Sequence, residues 1–184
     1  MTTTLPLKTG TWVLDPAHSG VYFKVRHLGL TNVRGEFNAF DATLDVGDDL
    51  ASTSFTATID ITSVDTNQAD RDAHLKTTDF FSADEHPTMI FESTTIKDAG
   101  EGEYEAEGKL TINGITQPVH LEVEFGGHEV FPGDGKVRAG FVATAQILRD
   151  DFGIDFNMPL GMDKFALGKK IDIEIDVEFV APAS

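Results

Sequence analysis

Cysteine is absent from this chain of 184 residues, and several kinds of protein chemistry depend on it. Without thiols the chain forms no disulfides, zinc–thiolate sites or cysteine-ligated iron–sulfur clusters, and it has no thiolate nucleophile. An uninterrupted run of about 18 apolar residues, the length that predicts a membrane-spanning helix, is also missing. The length suits one domain that buries roughly 70% of its unfolded surface. We therefore expect a single domain over residues 10–181, preceded by an extension of residues 1–9.

Basic residues are scarce: 14 lysines and arginines stand against 31 aspartates and glutamates, which gives a net charge of −17. A chain with this charge is repelled by phosphate backbones and by anionic membrane surfaces. We expect no nucleic-acid partner and no membrane insertion. The N-terminal stretch MTTTLPLKTGTW also lacks the basic and apolar regions of a secretory signal. As written, the sequence predicts a cytoplasmic protein, or a periplasmic or secreted one if a signal has been removed.

Catalytic motifs are missing as well, including G-x-S-x-G, H-E-x-x-H, the P-loop and the dinucleotide fingerprint. Asp15, His18 and Ser19 have the residue types of a hydrolytic triad. However, the side chains of adjacent His18 and Ser19 diverge in an extended segment, and the Asp-Pro pair before them is typical of a turn. We expect no catalytic residues, no metal site and no cofactor.

Alternation of apolar and polar residues is the dominant pattern. IDIEIDVEF (171–179) places isoleucine, valine and phenylalanine on one face and carboxylates on the other, which predicts a strand with one buried side. The same pattern occurs around residues 21–27, 55–61, 119–125 and 137–147. Eight or nine such strands must either stack as a sandwich or close on themselves. Because the strands are about ten residues long, we favour a closed barrel.

Local signals punctuate these strands. The apolar positions have odd residue numbers up to Phe37 and even residue numbers from Phe40 onward, which predicts a bulge at Asn38–Ala39. Asn113-Gly114 predicts a tight hairpin turn. Residues 66–81 have helical composition and predict one short helix capped by Thr66 or Asn67. Residues 149–168 predict a long apolar loop, a type of segment that often acts as a lid.

The predicted barrel interior combines small and aromatic side chains. Eight strands enclose a space that is either filled by side chains or wide enough for one small ligand. The inward small residues leave volume that the aromatic rings fill or that an apolar ligand occupies, and the pattern alone leaves both interpretations open. The small residues are Gly35, Ala57, Ala106, Gly108, Ala139, Ala143 and Ala145. The aromatic residues are Phe23, Phe37, Phe55, Phe91, Phe125 and Phe141.

Four groups of motifs resemble the YceI-like polyisoprenoid-binding family. The opening W-x-L-D-x-x-H-S-x-V-x-F-x-V-R-H-L-G (12–29) with V-R-G-E-F (33–37) is the first. The segment 63–93, with R-D-x-H-L, D-F-F and P-x-x-x-F-x-S, is the second. GKLTINGITQPVHLEV (108–123) and RDDFGI (149–154) complete the set, in the same order as in the family.

The resemblance implies an all-β protein: an eight-stranded antiparallel up-and-down barrel, lipocalin-like, with one short helix and a long apolar loop. It implies that the lumen binds a long-chain isoprenoid lipid, such as a polyprenyl chain or an isoprenoid quinone, without catalysis, and it favours a homodimer. Parity and resemblance together give a lumen set and a lid set. The lumen residues are Phe23, Val25, His27, Phe37, Phe55, Ala57, Ile59, Phe91, Leu110, Phe125, Phe141, Ala143 and Ala145, and the lid residues are Phe152, Phe156 and Leu160.

Two other functions are compatible with such a barrel. The first is an enzyme, a hydrolase or isomerase acting on a lipid-like substrate, which requires a cluster of ionisable groups inside the lumen. Among the positions predicted to face the lumen, the only ionisable residue is His27. Asp41 could be added, because it follows the point at which the alternation of inward positions shifts by one residue. The second is a filled barrel with a structural or interaction role, which requires that the lumen contain no continuous cavity.

Overall fold

The computed structural model describes residues 3–162 and 164–184 of the chain. Residues 1, 2 and 163, which fall in the predicted extension and the predicted loop, lie outside the described residues. The described elements follow in chain order: β1 (Gly10–Leu14), β2 (Gly20–His27), β3 (Thr31–Phe37), β4 (Phe40–Val46), β5 (Ser54–Asp60), β6 (Val64–Asp65), α1 (Ala69–Leu75), β7 (Thr88–Gly100), β8 (Glu103–Ile112), β9 (Ile115–Val130), β10 (Val137–Leu148), β11 (Pro159–Gly161), β12 (Lys164–Phe165) and β13 (Leu167–Val180).

Eight long strands close into an antiparallel up-and-down barrel. Two of the eight are interrupted: β1 and β2 form one strand around a 3₁₀ turn at Pro16–His18, and β3 and β4 form the next. The ring closes where β1 pairs with β13, with Val13 opposite Val180. Closure leaves the long strands without free edges, which removes the sites at which an open sheet would pair with other chains. The predicted fold class is confirmed.

The interruption between β3 and β4 lies at Asn38–Ala39, where the sequence predicts it. Gly35 and Phe37 are buried before the break, and Ala42 and Leu44 are buried after it. The break therefore keeps the apolar side chains of both halves inside, although their parity differs. The backbone groups at the break are also bonded, since Asn38 N donates to Ser63 O at 3.1 Å.

The turn between β8 and β9 follows the prediction from its sequence. Asn113 and Gly114 have φ angles of 55° and 73°, the left-handed values that a type I′ turn requires and that Asn-Gly adopts most readily. Ile112 and Ile115 face each other across the turn. The turn thus fixes the register of the β8–β9 hairpin.

The helix and the loop are more ordered than the sequence indicates. Helix α1 is two turns long, as predicted, but its N-cap is Gln68, whose side-chain oxygen accepts a hydrogen bond from Arg71 N. Thr66 is buried instead, and its backbone N–H donates to the Asp72 carboxylate at 2.8 Å. The segment 149–168 contains a 3₁₀ turn and the small hairpin β11–β12. None of the helices in the described ranges is long and apolar enough to cross a bilayer.

The two ends of the barrel differ. Strand directions place the turn 28–30, the helix-bearing segment 61–87, the turn 113–114 and the segment 149–166 at one end, here called the α1 end. The N-terminal residues from 3 onward, the loop 47–53, and the turns 101–102 and 131–136 lie at the other, here called the Trp12 end.

Inward glycines make room for aromatic rings. A methyl group added at Gly35 would collide with the ring of Phe23, its cross-strand partner. One added at Gly108 would collide with the ring of Phe91. In this part of the interior, aromatic side chains therefore fill the space beside small residues, which is the first of the two interpretations of the sequence pattern.

Candidate functional site

An apolar cavity of about 470 Å³ occupies the barrel half nearest the α1 end. Its volume falls in the usual range for small-molecule sites. No aspartate or glutamate of the described chain lines it. The lining includes Met158, which is 61% exposed, so the cavity opens to the outside at the α1 end. Ten residues of the predicted lumen set line it: Phe23, Val25, His27, Phe37, Phe55, Ala57, Ile59, Phe91, Leu110 and Ala145.

The remaining three residues of the lumen set, Phe125, Phe141 and Ala143, point into the barrel but lie outside the cavity lining. They occupy the half nearest the Trp12 end, where side chains fill the interior. The Phe125 and Phe141 ring centroids are 5.0 Å apart, and Phe141 contacts Phe179 edge-on at 6.2 Å. The alternation of residues along a strand shows whether a side chain points inward, but not how far along the barrel axis it lies. The prediction therefore includes these three residues in the lumen set.

Trp12 forms the centre of this filled half. Its side chain is only 1% exposed, and the indole Nε1 donates to Lys8 O at 2.8 Å. Leu5 and Leu50 pack in the same cluster, and Leu50 N donates to Thr3 O at 3.0 Å. The N-terminal extension thus helps to close this end.

Three aromatic rings lie at the mouth of the cavity. The His74 ring of α1 contacts Phe80 and Phe156 edge-on, with centroid distances of 5.0 and 5.1 Å. Phe80 and Phe156 also contact each other at 5.3 Å. All three side chains line the cavity. The rings therefore connect the α1 segment to the segment that follows β10.

The three predicted lid residues occupy different positions. Phe156 lies in the aromatic cluster at the mouth. Phe152 is 1% exposed and lines the cavity as part of its wall. Leu160 is 49% exposed and lies outside the lining, on strand β11.

A buried arginine that the sequence reasoning missed organises the mouth. Arg149 lines the cavity and is 5% exposed. Its Nε donates to Gly168 O at 2.9 Å, and its Nη1 donates to Ile154 O at 3.0 Å and to Phe156 O at 2.8 Å. Burial lowers the pKa of the Arg149 guanidinium, but a guanidinium stays protonated at neutral pH. One side chain thus ties together both ends of the 149–168 segment.

A second arginine also lines the cavity. Arg71 Nε donates to Thr66 Oγ1 at 2.7 Å, and its Nη2 donates to Thr66 O at 2.6 Å. These bonds hold the start of α1 against strand β6. The sequence signal for Arg71 was its place in the R-D-x-H-L motif, but helical spacing alone did not indicate that it faces the lumen.

Asp15, His18 and Ser19 form a structural corner outside the cavity. His18 Nδ1 lies 3.0 Å from Asp15 Oδ2, and Arg138 Nε lies 3.1 Å from the same oxygen. The Ser19 hydroxyl donates to Asp15 O at 2.7 Å and accepts from Glu178 N at 3.0 Å. Its hydroxyl thus joins two backbone segments rather than meeting the His18 ring.

The charges at this corner perturb one another. The hydrogen bond to His18 and then that to Arg138 lower the pKa of Asp15, while the hydrogen bond to Asp15 raises the pKa of His18. Asp15, His18 and Glu178 offer ligand atoms within 4.8 Å of one another. Asp15 Oδ2 already accepts a hydrogen bond from Arg138 Nε and lies beside His18 Nδ1. These contacts account for the arrangement as the joint between β1 and β2.

The fold and cavity together define a class of protein: a closed eight-stranded barrel with an apolar cavity that opens at the α1 end and with side chains that fill the Trp12 end. Comparison with known sequences narrows this class. The model of the YceI-like domain matches residues 12–179, and the chain belongs to this family. A UPF0312 protein of Staphylococcus epidermidis is 39% identical over 167 residues, which cover 90% of this chain and 94% of that protein.

Solved structures agree with the family assignment. The YceI protein of Campylobacter jejuni superposes with a TM-score of 0.72 and 30% identity, over 87% of this chain and 91% of that one. A polyisoprenoid-binding domain of Saccharophagus degradans, implicated in plant cell wall breakdown, superposes with a TM-score of 0.68. It is 12% identical and covers 95% of this chain and 100% of that one, a level of identity that shows a common fold alone.

Proposed function

We propose that this chain binds one long-chain isoprenoid lipid, a polyprenyl chain or an isoprenoid quinone, and carries or sequesters it. The observation that carries the proposal is the cavity, whose lining is almost wholly apolar and which opens at one end. The polyisoprenoid-binding domain of Saccharophagus degradans has the same fold, which supports an isoprenoid as the ligand. A cavity of about 470 Å³ also argues against the filled barrel.

The free energy of binding would come mainly from the chain. Each buried CH₂ contributes about 0.8 kcal/mol, so ten chain carbons contribute roughly 8 kcal/mol before entropic costs. A net hydrogen bond contributes only about 1 kcal/mol. The lipid tail would therefore point toward the filled half, and its polar head group would lie at the mouth near Arg71, His74 and Arg149.

The positions of the ionisable groups favour binding over catalysis. The ionisable side chains among the described lining residues are His27, Arg71, His74, Arg149 and Tyr22. Hydrolysis or isomerisation generally needs an acid–base pair placed beside the reacting bond, and no carboxylate of the described residues lines the cavity to complete one. The homodimer and the cytoplasmic location stay predictions.

Ala145→Trp tests the proposal because Ala145 lines the cavity from strand β10. An inward indole would occupy the space proposed for the chain. We expect the variant to bind a fluorescent prenyl chain at least tenfold more weakly than the wild type, a loss of about 1.4 kcal/mol. Fluorescence titration measures the affinity.

Thr144→Trp is the matched control, since it adds the same group to the neighbouring position, which is exposed on the outer face. It should bind the prenyl chain as the wild type does. Equal affinities for the wild type and Ala145→Trp, with both proteins folded by circular dichroism, would argue against the cavity as the binding site.

A further inference from the structure

Exposed apolar side chains concentrate at one side of the cavity mouth. The turn between β2 and β3 and the segment 158–165, which contains the hairpin β11–β12, carry them, and the described residues of these two segments are here called the tip. The tip residues with large exposed apolar side chains are Leu28 (41%), Leu30 (73%), Met158 (61%), Leu160 (49%), Met162 (90%) and Phe165 (50%). An exposed cluster of this kind usually marks an interaction surface.

The two segments of the tip are held side by side. Leu28 N donates to Ala166 O at 2.7 Å, and Ala166 N donates to Met158 O at 3.0 Å. The Asn157 side chain adds two bonds to the Leu167 backbone, at 2.8 and 3.0 Å. The two segments that carry the exposed apolar groups therefore lie next to each other beside the cavity opening.

Positive charge surrounds the tip, in contrast to the rest of this strongly acidic chain. Residues 24–34 and 164–170 contain six of the 14 lysines and arginines and no acidic residue, and the hairpin sequence 159–165 adds one acidic residue, Asp163, before Lys164. Two of the six are neutralised in ion pairs, Lys24 with Asp172 at 3.7 Å and Lys169 with Asp150 at 3.0 Å. Within residues 3–162 and 164–184, the other four form no salt bridge: Arg26, Arg34, Lys164 and Lys170.

This combination of groups fits the surface of a membrane that contains anionic lipids. Apolar side chains enter the boundary between head groups and acyl chains, and cations beside them contact the anionic head groups. Of the ten acidic residues in the segments of the α1 end, six lie on the segment 61–87 and four on the segment 149–166. The segment 61–87 carries no large exposed apolar side chain among its residues. The tip therefore combines exposed apolar side chains with neighbouring cations, whereas the segment 61–87 is acidic and offers no such apolar group.

We propose that the tip is a peripheral docking site for anionic bilayers, which brings the cavity mouth to the membrane surface. The net charge of −17 predicts repulsion, but charges farther away than the Debye length, about 8 Å at physiological ionic strength, are largely screened. The local cations at the tip then govern contact. The docking rests on this surface alone, and only its purpose, exchange of a lipid with the cavity, rests on the proposed function.

Vesicle co-flotation tests the docking at physiological salt. The wild type should bind vesicles of phosphatidylcholine and phosphatidylglycerol more tightly than vesicles of phosphatidylcholine alone. Lys164→Gln combined with Lys170→Gln should weaken binding to the anionic vesicles roughly 25-fold, about fivefold for each cation. Leu30→Ser should weaken it roughly tenfold, because a leucine side chain no longer enters the interface.

Matched variants at the Trp12 end control for general changes in charge and polarity. Lys97→Gln combined with Lys136→Gln removes two exposed cations there, and Val130→Ser removes an exposed apolar group. Both should bind the anionic vesicles as the wild type does. Ala145→Trp should also dock normally, which separates this proposal from the lipid-binding one.

Two results would overturn the docking site. The first is a wild type that does not float with the anionic vesicles, which would leave the tip as a surface for a protein partner. The second is equal weakening by the tip variants and by their controls at the Trp12 end.

Discussion

Trp12→Ala is expected to lower the free energy of unfolding by about 4 kcal/mol, the largest effect of any single substitution considered for this protein. The indole is 1% exposed and lies at the centre of the filled half of the barrel. Its removal leaves a void that the surrounding closed sheet cannot collapse to fill, and it leaves Lys8 O without its donor. A domain of this size has a total stability of only about 5–15 kcal/mol.

Urea unfolding followed by far-ultraviolet circular dichroism measures this loss. Tryptophan fluorescence is unsuitable because Trp12 is the only tryptophan in the chain. Val13→Ala is the control, since Val13 follows Trp12 on β1 and is 53% exposed. It should change stability by less than about 1 kcal/mol. A loss below about 1.5 kcal/mol for Trp12→Ala would contradict a tightly filled end.

Arg149→Met is expected to destabilise the protein by about 3 kcal/mol, because three carbonyl groups lose a donor at a cost of about 1 kcal/mol each. Two of those groups, Ile154 O and Phe156 O, lie before β11, and the third, Gly168 O, lies after β12. Methionine preserves much of the packing volume, so the effect reports the lost hydrogen bonds. The segment 149–168 should also become more accessible to proteases.

Urea unfolding and limited proteolysis measure the two consequences. Arg34→Met removes an exposed arginine and should leave both unchanged. Arg149→Lys keeps the charge but offers no planar fork, and should recover only part of the stability. If Arg149→Met unfolds at the same urea concentration as Arg34→Met, the guanidinium does not hold the segment together.

Much of the fold follows from signals that are local in the sequence. Alternation alone assigns the inward face of β10 from Ala139 to Ile147. The parity change at Asn38–Ala39 predicts the break between β3 and β4. The pair Asn113-Gly114 predicts the turn between β8 and β9. Each signal depends on residues within a few positions of one another, so no knowledge of the tertiary structure is needed to interpret it.

The extent of the cavity could not be predicted in the same way. Phe23 and Phe125 have the same inward parity, yet only Phe23 lines the cavity. The difference depends on the position of each residue along the barrel axis. It also depends on which end of the barrel is filled by Leu5 and Trp12. These are consequences of contacts between distant parts of the chain, such as that of Thr3 with Leu50.

Arg149 shows a second limit of the sequence. Arginine is rarely buried, and the R-D-D sequence around it is typical of an exposed turn. Its burial follows from three carbonyl groups that the segment 149–168 turns inward, and that arrangement exists only in the folded chain. The R-D-D-F-G-I motif indicated the family but not the role of its arginine.

The most direct test of the central claim is the lipid content of the protein after exposure to a defined mixture. The folded protein is incubated with a bacterial lipid extract supplemented with polyprenol and an isoprenoid quinone, re-isolated by size exclusion, extracted and analysed by mass spectrometry. The wild type and Thr144→Trp should return isoprenoids enriched over the mixture at about one molecule per chain, and Ala145→Trp at least tenfold less. No isoprenoid enrichment in the wild type, or equal recovery from Ala145→Trp, would contradict isoprenoid binding in the barrel cavity.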